Sequence, residues 1–251
     1  MRAELKTVLK IVVPVIFWLS VWEIAAKIVD NPFFLPSIEE TLKSLYTAAL
    51  DKDFALTISS TILRVMVGLF IGTALGVLMA VLSHYSEIFK SIVAPFISVV
   101  KSTPVATFII ILWLFMSGEA LPVFIAVLMV MPIIWQNVLD GYEAIDPELA
   151  EVCRVYDFSY KKRVRVLIFP TLLKYFIPAF ITAAGLAWKS EIAAEVIAYT
   201  KNSIGGNISD ANVIFDTQTA FAWTLVVIIF SIIIEVLTKF LLSRFKKNAY
   251  N

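Results

Sequence analysis

Three ionisable residues, Lys189, Glu191 and Glu195, lie close together in a stretch of sequence that is otherwise apolar. A charged group inside a lipid bilayer is costly, so ionisable residues in a membrane segment point by default to a pathway for a substrate or an ion. The alternative is a lysine–glutamate pair near the membrane surface that serves only the structure. The residues themselves leave both interpretations open.

A second polar interruption, Lys101-Ser102-Thr103-Pro104, falls inside the apolar run 87–116. A proline that follows polar residues in such a run frees backbone groups from helical hydrogen bonding. Freed groups are tolerated at membrane depth only where protein or a watery cavity receives them. The sequence therefore predicts a membrane segment that is broken at this point.

The longest polar interruption covers residues 140–170. Its apolar residues recur at helical spacing and its charged residues fall on the other side, which predicts a short amphipathic helix at about 148–158. Such a helix, held beside a bilayer by the basic run that follows it, is suited to docking on a soluble partner. A membrane-surface loop with solvated charges is the alternative. The apolar set is Leu149, Val152, Cys153 and Tyr156, and the charged set is Glu148, Glu151 and Arg154.

The composition is that of a protein that crosses a membrane several times. The chain has 251 residues, of which 60% are hydrophobic and 16% charged, with a mean hydropathy of +0.87. The net charge of +1 gives no support for binding nucleic acid. One cysteine, Cys153, and one histidine, His84, make a disulfide or a metal site improbable. No phosphate-binding G-x-x-x-x-G-K-[ST], H-E-x-x-H or G-x-S-x-G motif is present, so we expect no enzymatic site in this chain.

The apolar runs predict a single all-α membrane domain over residues 1–251 with about six spans. In the second span Gly68, Gly72 and Gly76 are four residues apart, which predicts close packing against a neighbouring helix. Between the first two spans, Ser37 and Glu40 form a capping-box pattern. Residues 199–212 are interpreted as a polar, glycine-containing loop. The predicted spans are 8–29, 57–83, 87–116 (broken), 119–138, 170–198 and 213–242, with a cytoplasmic loop at 140–169.

The distribution of charge predicts the orientation in the membrane. Basic residues precede the first span, fill the segment from Arg154 to Arg165 and follow the last span, whereas the loop 30–56 is net acidic. By the positive-inside rule both termini and the loop 140–169 lie in the cytoplasm.

Several motifs resemble those of permeases of ABC importers. Glu151, Asp157, Leu167 and Pro170 resemble, without insertion, the signature E-A-A-x3-G-x9-I-x-L-P, although Val152-Cys153 replaces the two alanines and Asp157 the glycine. Asp is one of the few residues that tolerates the positive φ that glycine would allow there. Further resemblances lie between about Leu35 and Trp223, in the same order as in the family: Leu35-Pro36-Ser37, the segment 61–76, Pro104 to Trp113, Trp188-x6-Glu195 and the glycine segment of 199–212. The chain looks most like the nitrate, sulfonate, taurine and pyrimidine-precursor branch.

This resemblance implies a type I importer permease in a bacterial-type cytoplasmic membrane. Two copies of an ATP-binding subunit would hold ATP and Mg and grip the coupling helix, so this chain would bind no cofactor itself. A second permease, identical or a close paralogue, and an extracytoplasmic binding protein would complete the assembly in lipid. The transported solute would be small, and anionic or zwitterionic. The docking residues would be Glu148, Leu149, Glu151, Val152, Arg154, Tyr156 and Asp157, and the candidates for the translocation path are Ser102, Thr103, Pro104, Trp188, Lys189, Glu191 and Glu195.

Two other classes of function remain open at this stage. The first is a secondary transporter or channel that uses Lys189, Glu191 and Glu195 as an ion relay, which inverted internal repeats would support. The second is a structural membrane subunit of some other complex. Substitutions at Glu151 distinguish them, because only an ATP-coupled permease should lose transport there.

Overall fold

The computed structural model describes residues 2–116 and 118–249, with side-chain environments for 10, 12–116, 118–240 and 242. Within these residues every regular element is helical, which confirms the predicted all-α class. The helices are α1 (Arg2–Val29), α2 (Ile38–Ala49), α3 (Phe54–Tyr85), α4 (Glu87–Ser102), α5 (Val105–Trp113), α6 (Ala120–Glu143), α7 (Pro147–Val155), α8 (Tyr160–Arg163), α9 (Phe169–Ala198), α10 (Ile204–Val213) and α11 (Thr217–Ala249), with a π-helical turn at Val164–Ile168 between α8 and α9.

Five helical segments in the described residues are long and apolar enough to cross a membrane, and α4 with α5 makes a sixth if that pair is counted as one broken span. The pair bends by 101° at its break, so the interruption predicted at Pro104 is present. The segment Tyr160–Ala198 is continuous over 39 residues. It is therefore longer than the predicted span 170–198, because α8 and the π-helical turn extend it beyond the membrane-length stretch.

The loop predicted at 199–212 was wrong over most of its length, because residues 204–213 form α10. The Ser203 hydroxyl accepts a hydrogen bond from the Gly206 N–H at 2.8 Å and so caps this helix. A Cβ atom at Gly205 would lie 2.4 Å from the Glu195 Cβ. Glycine is needed at position 205 because α10 packs closely against α9, and not because the chain turns there.

Helix α6 lies at the centre of the bundle, between α3 and α9. The glycines predicted to allow close packing face it at successive turns, and a Cβ atom on each would approach an α6 side chain to 2.5–2.8 Å. The contacts are Gly68 with Ala126, Gly72 with Val130 and Gly76 with Ile134. Large apolar side chains on α1, α3 and α11 are exposed on the outside of the bundle, as expected for surfaces in contact with lipid.

Helix α2 is fixed at its start by the predicted capping box. The Ser37 hydroxyl accepts from the Glu40 N–H at 3.3 Å, and the Glu40 carboxylate accepts from the Ser37 N–H at 2.8 Å. Glu23 of α1 accepts from the Ile38 N–H at 3.2 Å and pairs with Lys27 at 3.4 Å. These contacts hold α2 against the end of α1.

Candidate functional site

Helix α7 begins at a well-formed cap. The Asp146 carboxylate accepts a hydrogen bond from the Glu148 N–H at 2.8 Å, and Pro147 occupies the first helical turn, where its missing N–H costs nothing. The helix begins one residue before the predicted start at 148 and ends at Val155, three residues before the predicted end at 158. Its side chains are exposed, except for Ala150, which is half-buried, and Cys153, which is buried.

The apolar residues of α7 are left uncovered in the chain. Leu149, Val152 and Tyr156 are 51%, 47% and 71% exposed, although burial of each side chain would be worth about 1.5–3 kcal/mol. Glu148, Glu151 and Arg154, which the sequence places among the docking residues, are exposed as well. Among the described residues no ion pair engages these three charges. The helix therefore presents both apolar and charged groups on the surface of the chain.

Helix α7 ends in a Schellman motif built on Asp157. The Phe158 N–H donates to the Cys153 carbonyl and the Asp157 N–H to the Arg154 carbonyl, both at 3.0 Å. Asp157 has a φ of 52°, the left-handed conformation that glycine usually supplies at this position. The replacement of glycine by aspartate thus keeps the geometry that the sequence motif requires.

At the opposite end of the bundle, Glu195 of α9 is fully buried and satisfied by groups of two other helices. Its carboxylate pairs with the Arg64 guanidinium of α3 at 2.7 Å and accepts from the Thr61 hydroxyl at 2.9 Å. It also accepts from the Gly205 N–H at 3.0 Å, at the positive N-terminal end of α10. Thr61 in turn accepts from the Ile204 N–H at 3.1 Å. This set, called here the Arg64–Glu195 cluster, joins α3, α9 and α10.

The structure does not bring Lys189 together with the two glutamates of the predicted pathway. Lys189 is exposed, and no ion pair joins it to Glu191 or Glu195 in the described part of the chain. Glu191 is fully buried and its carboxylate accepts no hydrogen bond from a described protein donor. Trp188 is fully buried too, and its indole N–H donates to the Val227 carbonyl at 3.2 Å. Three of these four residues lie in the interior of the helix packing.

The break between α4 and α5 borders a cavity of about 380 Å³ beside α6. Ser102 lines it, whereas Thr103 and Pro104 form the turn between the helices. The cavity also contains Lys101 and Gln136, which sequence reasoning did not select. Lys101 could have been found as a cation in an apolar run, but the position of Gln136 depends on how α6 packs. The lining is Ala94, Ile97, Ser98, Lys101, Ser102, Trp135 and Gln136.

No group of three or more His, Cys, Asp or Glu side chains in the part of the chain that the structure describes is arranged to hold a metal ion. The described residues instead provide an exposed helix, a buried ion pair between helices and a lined cavity at a broken span.

Residues 72–247 match the family described as the binding-protein-dependent transport system inner membrane component. This match covers more than half of the chain, so the chain belongs to that family, and the predicted class of type I ABC importer permease is confirmed.

The individual relatives share 21–25% identity with this chain, and each is named for a particular solute. A protein of Bacillus subtilis named as an aliphatic sulfonates transport permease is 25% identical over 175 residues, 69% of this chain and 62% of the relative. The taurine transport permease of Escherichia coli is 21% identical over 85% of this chain and 80% of its own length. A nitrate import permease of Synechococcus elongatus is 24% identical over 83% of this chain and 78% of its own length.

Two solved structures share the fold. A methionine ABC transporter in an inward-facing conformation matches with a TM-score of 0.64 and 13% identity, over 76% of this chain and 95% of that chain. An amino acid ABC transporter solved with histidines matches with a TM-score of 0.59 and 20% identity, over 77% of this chain and 94% of that chain.

Proposed function

We propose that this chain forms the translocation path of an ATP-driven importer for a small anionic or zwitterionic solute, such as a sulfonate or an oxyanion. The observation that carries the proposal is α7, a capped helix whose apolar side chains are left uncovered in a chain of this permease family. Relatives named for sulfonates, taurine and nitrate support the class of solute, since all three are anionic or carry an anionic group.

In this proposal ATP and Mg are bound by two copies of a separate subunit, which grip α7 through its exposed residues. Leu149, Val152 and Tyr156 fill a groove on that subunit, Glu151 orients the helix through polar contacts and Asp157 ends it. A second permease, identical or paralogous, encloses the path from the other side, and an extracytoplasmic binding protein delivers the solute. Both termini and α7 lie in the cytoplasm, as the basic residues around them favour.

Coupling follows from the position of α7 between two long helices. It connects the end of α6 to the continuous segment Tyr160–Ala198, and the pair Lys90–Glu143, at 2.9 Å, joins the start of α4 to the end of α6 nearby. ATP binding that closes the two cytoplasmic subunits would move α7 and tilt these helices as rigid bodies. The change is driven by the higher affinity of ATP for the closed state.

The path itself is proposed to run beside the break between α4 and α5, past Ser102, Thr103 and Pro104. Trp188, Lys189, Glu191 and Glu195 of α9 are retained as candidates for a pathway role during the transport cycle. An ion relay in a secondary transporter has no support from the comparisons, and the exposed position of Lys189, apart from both glutamates, does not favour it.

The test is co-purification of the tagged chain from mild detergent. A P-loop ATPase should be recovered with the wild type and lost or weakened with Leu149→Asp and Glu151→Ala. Leu50→Asp is the matched control, because Leu50 is 68% exposed at the C-terminal cap of α2, outside α7. Absence of an ATPase from folded wild-type protein, or equal loss with the control, would contradict the proposed docking.

A further inference from the structure

Lys101 is a cation in the lining of the cavity at the α4–α5 break. The side chain is exposed, and it is the only charged residue among the seven that line this cavity. No carboxylate of the described residues lies within ion-pair distance of its ammonium group. Arg64, a cation in the spanning helix α3, is by contrast paired with the Glu195 carboxylate at 2.7 Å.

The surroundings make an unpaired lysine at this point unusual. Lys101 stands in the last turn of α4, where the bent pair α4–α5 is apolar enough to be a membrane span. Lysine within a membrane segment usually faces a water-filled cavity or a partner of opposite charge. Since the described chain supplies the cavity and no such partner, the charge is available to a ligand.

The start of α5, four residues after Lys101 in the sequence, also has open backbone N–H groups. Helix α5 starts at Val105, so the N–H groups of Val105 and Ala106 have no helical acceptor, whereas the Thr107 N–H donates to the Pro104 carbonyl at 3.0 Å. The carbonyl of Val99, in the last turn of α4, accepts from the hydroxyls of Ser102 at 3.2 Å and Thr103 at 2.8 Å. These bonds partly satisfy the negative end of α4, whereas two N–H groups at the positive end of α5 stay open. Broken helices with such an arrangement are a known means of binding anions at membrane depth.

Polar neighbours in the cavity suit an oxyanion. Ser98 carries a hydroxyl group in the lining, whereas the Ser102 hydroxyl already donates to the Val99 carbonyl. The cavity of about 380 Å³ is many times the roughly 30 Å³ that one water occupies. Gln136 donates through its amide to the Asp140 carboxylate at 2.8 Å, and Asp140 lies outside the lining. The acidic group nearest along α6 is thus engaged one turn away.

We propose that Lys101, with the hydroxyl of Ser98, forms an anion-binding subsite in the translocation path that selects sulfonates or other small oxyanions. The role in transport rests on the proposed function, whereas the local preference for anions rests on the cavity alone. In this assignment Lys101 contacts the solute directly.

The local preference can be measured by the reactivity of a thiol placed in the cavity. In a Cys153→Ser background, Ser102→Cys is treated with two methanethiosulfonates, one bearing a sulfonate and one a quaternary ammonium group. We expect the ratio of the sulfonate to the ammonium rate to exceed that of Ser44→Cys, which lines a different cavity. Adding Lys101→Gln or Lys101→Met should lower the ratio about tenfold or more, because the lysine charge acts oppositely on the two reagents. Lys101→Arg should keep it.

If the sulfonate-to-ammonium rate ratio is the same at Ser102→Cys and at Ser44→Cys while Lys101 is intact, the proposal is overturned. An unchanged ratio in a folded Lys101→Gln or Lys101→Met protein would overturn it as well. Because neither measurement involves an ATPase, the result is independent of the docking of α7.

The role in transport needs the assembled importer and labelled taurine and nitrate as probes. Lys101→Gln should reduce uptake about tenfold or more while the ATPase still co-purifies, and Lys101→Arg should restore a large share. Lys10→Gln, at an exposed lysine near the start of α1, is the control for loss of charge. Full uptake by Lys101→Gln would refute the subsite. Failure of the wild type to recover any ATPase would instead count against the proposed function.

Discussion

The Arg64–Glu195 cluster predicts an asymmetric and strongly coupled pair of substitutions. Glu195→Leu leaves the Arg64 guanidinium 6% exposed, with only the carbonyls of Lys201 and Asn202 and the Glu119 carboxylate at 3.4 Å. It also removes the acceptor of the Thr61 hydroxyl and of the Gly205 N–H. Loss of one partner from a buried ion pair costs about 3–5 kcal/mol, and arginine cannot shed its proton to relieve the cost. We expect Glu195→Leu to lower the free energy of unfolding by about that amount.

Arg64→Leu should cost less, about 2–3 kcal/mol, because Glu195 keeps two hydrogen-bond donors, Thr61 at 2.9 Å and Gly205 at 3.0 Å. The double substitution removes both charges, so its cost should fall short of the sum of the single costs by about 2–3 kcal/mol. Glu119→Gln is the control. The Glu119 side chain is 73% exposed, and loss of its contact with Arg64 should cost less than about 1 kcal/mol.

The measurement is unfolding in mixed micelles of dodecyl maltoside and sodium dodecyl sulfate, followed by far-ultraviolet circular dichroism and tryptophan fluorescence. Single costs that add to within about 0.5 kcal/mol in the double variant would refute the coupling. So would a cost for Glu195→Leu no larger than that of Glu119→Gln, because the cluster would then contribute no more than an exposed contact.

Three further substitutions are expected to act on stability in the same assay. Gly72→Leu should destabilise the protein by about 1–3 kcal/mol, since a Cβ atom there would lie 2.8 Å from the Val130 Cβ. Gly185→Leu should cost less, because a Cβ atom at Gly185 meets nothing within 4 Å. Equal costs for the two variants would contradict the close packing of α3 against α6. Asp157→Val should lower the free energy of unfolding by about 1–2 kcal/mol because φ is 52° at this residue, and Asp157→Gly should be neutral or stabilising. An unchanged stability of the valine variant would argue against a left-handed conformation at position 157. Ser37→Ala should cost about 1 kcal/mol through loss of the α2 cap, and an unchanged midpoint would show that the capping box is dispensable.

Much of the fold follows from local patterns in the sequence. Apolar runs of membrane length, the polar break at Pro104, the capping box at Ser37 and the tolerance of Asp157 for a positive φ each depend on neighbouring residues, and each is present in the structure. The glycines of α3 lie against α6 for a similar reason, because their four-residue spacing already clears one face of a helix.

What the sequence could not reveal are contacts between distant segments. Arg64 and Glu195 are separated by 131 positions, and no local pattern indicates that α3 and α9 bring them together. The place of Lys101 beside Gln136 depends on how α4 bends and where α6 passes. α10 was missed because glycine favours loops on average, whereas here it is required by close contact between helices. The docking role of α7 stays a prediction until a partner is captured.

The close crossing of α3 and α6 has a mechanical consequence. Three successive contacts leave no space for side chains between the two backbones, so neither helix can slide or rotate against the other without a clash. The two helices therefore behave as one rigid unit, with the connection to α7 at one end and Arg64 near the other. A displacement applied to α7 would therefore not be taken up between α3 and α6. The Arg64–Glu195 cluster ties this rigid pair of helices to α9.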